Sequence, residues 1–159
     1  DLHVEALLRI MVITEIYNNE YQTKESNIGK ILNDYCEQRK ETEISDKFID
    51  DFNRAIELLI NIFDDLNNVC RKVIVKDNEP VYSGSLQVTI LESMVGTIIK
   101  HKINIAENIE DRYKKVMLET YEKFVNNMSF NKNPFNYSTG TKDSITRRYE
   151  ICERILLVK

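Results

Sequence analysis

The chain has 159 residues, of which 42% are apolar and 30% charged, a balance that excludes intrinsic disorder and suits one domain able to bury its own core. Its 22 basic and 26 acidic residues leave a net charge of −4, which excludes a global field attracting nucleic acid, so any such contact has to be local. Four glycines and two prolines are few, and favour long helices over many short strands and turns.

Residues 2 to 17, LHVEALLRIMVITEIY, spread Val4, Leu7, Leu8, Ile10, Met11, Val12, Ile13 and Ile16 around every side of a helix. A helix apolar all round is expected at the centre of a fold. The polar connection YNNEYQTKESN leads to a second helix over residues 27 to 40, with Ile28, Ile31, Leu32 and Tyr35 on one side. Ser45 is the expected N-cap of a third helix, with Ile44 before it and Ile49 inside it as a hydrophobic staple. That helix carries one stripe through Phe48, Phe52, Ala55, Ile56, Leu59, Ile60, Phe63 and Leu66, in steps of three and four.

Residues 69 to 82, VCRKVIVKDNEPVY, break this rhythm: Val73, Ile74 and Val75 favour extended structure and DNEP supplies a turn, so either a short hairpin or an ordered loop is expected. Ser85 is the expected cap of a fourth helix bearing Leu91, Met94, Val95, Ile98 and Ile99. A fifth helix, from about Ile105 to Met128, aligns Ile109, Tyr113, Val116, Met117, Tyr121, Phe124 and Val125. The loop SFNKNPFNYSTG then precedes a sixth helix from Asp143 to about Val158. The expected fold is mostly α: about six helices in an orthogonal or irregular bundle, forming a single domain over 1–159. Because the chain opens on Asp1 rather than Met, we expect it to be part of a longer protein.

Few residues advertise chemistry. His3 and His101 stand far apart in no metal-ligand or catalytic pattern, and are expected to pack or face solvent. Cys36, Cys70 and Cys152 are odd in number and lack metal-type spacing, which points to reduced thiols and a cytoplasmic setting. No apolar run has membrane length, so no membrane partner is expected. The acidic doublets at 50–51 and 64–65 read as the wet face of the third helix. Tyr113, Tyr121 and Phe124 fall on an apolar stripe, and Lys114 and Lys115 are answered by Glu110, Asp111, Glu119 and Glu122, so no nucleic-acid platform is assembled there.

The closing stretch STGTKDSITRRYEIC is more informative. It lacks the spacing of a nucleotide-binding loop, and no buried strand precedes it. Gly140 is expected to make a tight turn and Thr141 or Asp143 to cap the helix. The helix N-terminus, with Gly140, Thr141, Lys142, Ser144 and Arg147, offers an anion site as an alternative to a plain cap. On a wheel, Arg147 shares the solvated side with Asp143, Glu150 and Arg154, whereas Arg148 lies amid Ile145, Tyr149, Ile151, Cys152 and Ile155. A guanidinium aimed at a core needs an acidic or carbonyl partner. Glu92, at the border of the fourth helix's stripe, is the expected partner of Arg148, as a structural tether or at a domain interface. Glu5 and Arg9, four apart on the first helix, form a second expected pair.

The succession EALLRI (5–10), NIGKILNDYCE (27–37), FNRAIELLINIFDD (52–65), LQVTILESM (86–94) and TGTKDSITRRYEIC (139–152) resembles the helical region that follows the catalytic domain in GmrSD-type restriction-endonuclease N-terminal-domain proteins. The recurring acidic residue of that family's helix falls on Glu92, and its recurring arginine on Arg148. The resemblance implies an upstream domain of ParB and sulfiredoxin-like fold with a DGQQR motif, which would hold any nucleotide and divalent metal. This sequence contains no DGQQR, so no catalytic residue is assigned and no cofactor is expected within it. The resemblance thus implies a non-catalytic helical support or docking domain of a DNA-targeting, bacterial-type restriction and phage-defence protein. Its partner would be the nuclease domain, and DNA through the parent protein. A stand-alone helical protein–protein interaction module is the alternative. An enzyme built from dispersed carboxylates ranks last, since no Glu-x-x-His pair is present.

Overall fold

The computed structural model of the chain describes residues 2–125 and 133–157, apart from the side chains of Leu2, Phe124 and Val125. Within them lie six helices and one two-stranded antiparallel sheet: α1 (Leu2–Tyr17), α2 (Ile28–Arg39), α3 (Asp46–Ile62), β1 (Lys72–Lys76), β2 (Glu79–Ser83), α4 (Val88–His101), α5 (Ile109–Val125) and α6 (Lys142–Leu156). The fold is mostly α with a short hairpin. The expected end of the fifth helix at Met128, the first part of the loop after it, and the role of Phe124 in the apolar stripe lie outside the described residues.

Helices begin where a side chain takes a free backbone N–H. Asn27 Oδ1 accepts from Lys30 N–H at 3.2 Å, Ser45 Oγ from Phe48 N–H at 3.1 Å, and Thr141 Oγ1 from Ser144 N–H at 3.2 Å. Ser85 does not play this part. Helix α4 starts after Gln87, which makes no side-chain cap bond and instead has its N–H bound to the Cys70 carbonyl at 2.9 Å. Its other end closes on Lys102, a left-handed residue whose N–H reaches the Ile98 and Ile99 carbonyls.

Helix α3 stops at Ile62 rather than continuing to Leu66, which is exposed. The reason is Phe63: leaving the helix in an extended conformation turns its ring into the core, edge-on to Tyr113 at 5.0 Å and near Tyr82 at 6.3 Å. Ile60 is also exposed, and Ile44 and Ile49 both stay largely in solvent. Helix α5 likewise begins later than expected, at Ile109, with Ile105 exposed.

The hairpin pairs Lys72 with Ser83, Ile74 with Val81 and Lys76 with Glu79. Its two turn residues, Asp77 and Asn78, have φ of 52° and 65°, the left-handed pair that matches strand twist in a two-residue hairpin. Val73 is buried beneath it, and the Tyr113 hydroxyl donates to the Arg71 carbonyl, fastening the hairpin to α5.

The centre of the molecule is α4, not α1. Residues Glu92 to Ile98 are buried without a break, packed by α1, α3 and α6. Helix α1 buries Ile10, Val12, Ile13 and Tyr17, while Val4 and Leu7 in its first half are exposed. An all-apolar wheel on α1 thus serves two surfaces, one covered and one open.

Candidate functional site

The sequence of α4 places a carboxylate and two hydroxyls, Glu92, Ser93 and Thr97, inside a core. The hydroxyls bond back along their own helix: Ser93 Oγ–H donates to the Thr89 carbonyl and Thr97 Oγ1–H to the Ser93 carbonyl, each at 2.7 Å. Glu92, 0% exposed, is met from α1 by Arg9, whose Nε–H donates to Oε2 at 2.6 Å and whose Nη2 donates to Oε1 at 3.0 Å. This two-point grip on a planar carboxylate is the strong form of the arginine–carboxylate bond.

From the opposite side, α6 brings Arg148, also 0% exposed. Its Nη2 lies 3.5 Å from Glu92 Oε1, within ion-pair range, yet makes no hydrogen bond among the described residues. The rest of the guanidinium is engaged: Nε–H donates to Ser93 Oγ at 3.1 Å, and Nη1 donates to the carbonyls of Pro134 and Thr139 at 3.0 and 2.8 Å. One buried carboxylate therefore faces two buried cations. The structure joins Arg148 and Glu92 at the core, as their positions on the helical wheels anticipate, and adds Arg9 to them. Arg9 does not pair with Glu5, which is exposed on the first turn of α1. The long-range contact prevails because it satisfies a carboxylate already committed to the core, where an exposed local pair gains little.

Burial governs the neighbours. It pushes the Tyr17 phenol well above its ordinary value, and the Arg148 guanidinium opposes part of that rise. Burial also drives the Cys152 thiol up to about 12, again against Arg148, and raises Cys70. Both thiols are poor nucleophiles in this state, and Cys36 is exposed. His101 meets the Tyr149 hydroxyl at 2.7 Å and Glu153 at 3.1 Å.

The closing turn is packed rather than open. A Cβ on Gly140 would lie 2.5 Å from the Ile28 nitrogen and 2.8 Å from the Ser26 carbonyl oxygen, so the glycine is there to let two backbones meet. Thr141 caps α6, the buried Ser144 has its N–H in that cap, and Arg147 reaches Asp143 at 3.1 Å. Of the five residues expected to make an anion site, only Gly140 and Lys142 border an open cleft.

Among the described residues, two concavities between elements are large, and neither is legible along any single helix. A cleft of about 810 Å³ lies between the α1–α2 connection, the end of α4 and the start of α6. A groove of about 790 Å³ runs between α1, α2 and the start of α3. The groove is walled by Val4, Leu7, Leu8 and Met11 of α1, Tyr35 and Cys36 of α2, Ile44 and Phe48, and Ile99 of α4. Its charged rim is largely answered from within: Glu15 accepts from Tyr35 and Arg39 at 2.8 Å each, and Asp51 holds Lys47 at 2.7 Å. Among the described residues no group of three or more His, Cys, Asp or Glu side chains is arranged to hold a metal ion, and no helix is long and apolar enough to cross a membrane. Comparison with protein families, with curated proteins and with solved structures finds no match to this chain.

Proposed function

We propose that this chain is a non-catalytic helical docking domain, which offers the α1–α2–α3 groove to an apolar helical face of a DNA-targeting nuclease domain. One observation carries the reading: Val4, Leu7 and Ile44 keep 64%, 39% and 48% of their surface in solvent along one apolar groove. Contiguous apolar surface of this kind marks an interaction site, whereas scattered exposed residues do not. With Glu15 and Asp51 held by groups on the rim itself, the groove selects an apolar occupant rather than a charged one. The nuclease identity of that occupant rests on the sequence resemblance, and the restriction and phage-defence setting rests on it too.

The buried ionic cluster supports the same reading as a tether. It fastens α1 and α6 to α4 and holds the chain at 134 and 139, so that the groove wall stands on a fixed frame. The test is a titration of this chain against the domain encoded upstream of it in the parent gene. Wild-type chain binds, and Leu7→Asp or Ile44→Asp weakens binding about tenfold or more, the equivalent of ~1.4 kcal/mol. An upstream DGQQR domain that ignores both substitutions overturns the docking reading. A parent gene with no such domain leaves the groove to a stand-alone interaction module. A companion DNA titration at low and high salt reads any direct contact, which salt would abolish.

A further inference from the structure

The cleft on the other side of α1 has different chemistry. Lys24 from the α1–α2 connection, Lys100 from the last turn of α4 and Lys142 from the first turn of α6 line it, one from each wall. None of the three takes part in an ion pair or side-chain hydrogen bond among the described residues, whereas Lys40 and Lys47 elsewhere each hold a carboxylate. Glu25 is the single carboxylate in the lining, so three lysines against one acid leave the lining with a surplus of positive charge.

The wall behind them is fixed. Tyr149 packs on Tyr17 at 4.6 Å, lies parallel to His101 at 5.8 Å, and has its hydroxyl held by the His101 ring at 2.7 Å. Tyr17 is itself locked in the core, where its ring stands against Gly96. Concave sites of several hundred cubic ångströms with an apolar wall and a few convergent polar groups are the usual form of small-molecule sites. Lysine binds phosphate as a point charge, and several lysines from separate elements match the spread charge of a phosphate chain.

We propose that this cleft binds a small phosphorylated ligand of nucleotide size, its phosphates on Lys24, Lys100 and Lys142 and its apolar part on Tyr149 and Ile145. The site is independent of the docking groove, which lies on the α2–α3 side. The capped N-terminus of α6 adds its dipole to the same wall but does not define the site.

Calorimetric titration of the whole chain with ATP and with inorganic pyrophosphate tests it. Both probes bind at low salt, and binding weakens as salt rises. Lys100→Gln and Lys142→Gln each weaken ATP about tenfold, the scale expected on losing one charge-assisted contact. Lys47→Gln, at the docking groove, leaves ATP binding unchanged. Lys47 and Lys142 are exposed and Lys100 is half-buried, and none of them holds a partner in the core, so the variants keep the wild-type circular dichroism spectrum. No binding of either probe overturns the proposal, as does binding that Lys100→Gln and Lys142→Gln both leave alone. Binding of an oligonucleotide with neither small probe bound overturns it equally.

Discussion

Glu92→Gln is the sharpest perturbation of the buried cluster, because it keeps the side chain's shape and removes its charge. Glutamine leaves Arg9 and Arg148, 8% and 0% exposed, facing each other across a neutral amide. Neutralising one partner of a buried pair costs about 3–5 kcal/mol, since the remaining charge stays buried. Here two cations are stranded, and one of two good hydrogen bonds from Arg9, at 2.6 and 3.0 Å, meets an N–H instead of an oxygen. We therefore expect the upper part of that range, about 4–5 kcal/mol. For a chain of this length each kcal/mol moves the midpoint by about 2–4 °C, giving a fall in Tm of about 8–20 °C. Urea unfolding followed by circular dichroism measures the loss directly, with an unchanged slope confirming that stability and not compactness changed. Arg9→Met should cost less than Glu92→Gln, because Arg148 Nη2 still faces the carboxylate at 3.5 Å. The double variant should fall short of the sum by about 1 kcal/mol or more, as expected for groups in one network. A Glu92→Gln loss below about 1 kcal/mol, the scale of one ordinary hydrogen bond, would refute the reasoning.

Three further outcomes are expected. Gly140→Ala should destabilise by about 1–3 kcal/mol in the same urea assay, because its methyl would meet the backbone at 26–28 and not a movable side chain. A thiol reagent at mildly alkaline pH should label the exposed Cys36 at once and the buried Cys70 and Cys152 only as the chain unfolds, which mass spectrometry of labelled peptides reads out. Stability should also fall in alkali: the Cys152 thiol, ordinarily near 9.0, is raised to about 12 in the fold, so the unfolded chain loses its proton first. The Cys152 contribution is complete below about pH 9 and is lost as pH rises towards 12, and Cys152→Ser should lessen that loss without abolishing it, because burial raises Cys70 and Tyr113 too.

Much of the architecture is legible from local patterns, because the physics that fixes a cap or a stripe is local. Ser45 and Thr141 each stand one helical turn before the N–H they accept, and the stripe of α6 alone is enough to set Arg148 apart from Arg147. The DNEP turn works because Asp77 and Asn78 tolerate the left-handed conformation that the hairpin needs. What escapes the sequence depends on distant partners. Phe63 leaves its helix to reach Tyr113 and Tyr82, which lie on other elements. Arg9 passes over Glu5, four residues away, for Glu92, 83 residues away. The central place of α4 was hidden because Glu92, Ser93 and Thr97 read as residues for a solvated face, and they are tolerated inside only by the bonds they make in three dimensions. The need for Gly140 was visible as a turn, but its actual cause, contact with the start of α2, arises only in three dimensions.

Hydrogen–deuterium exchange on the chain, alone and saturated with the nuclease domain proposed as its partner, tests docking through the groove most directly. The account predicts new protection in the first half of α1 and around residues 44–48, the segments that carry Val4, Leu7, Ile44 and Phe48. Protection confined to other faces of the chain, with these two segments exchanging as fast as before, would contradict it.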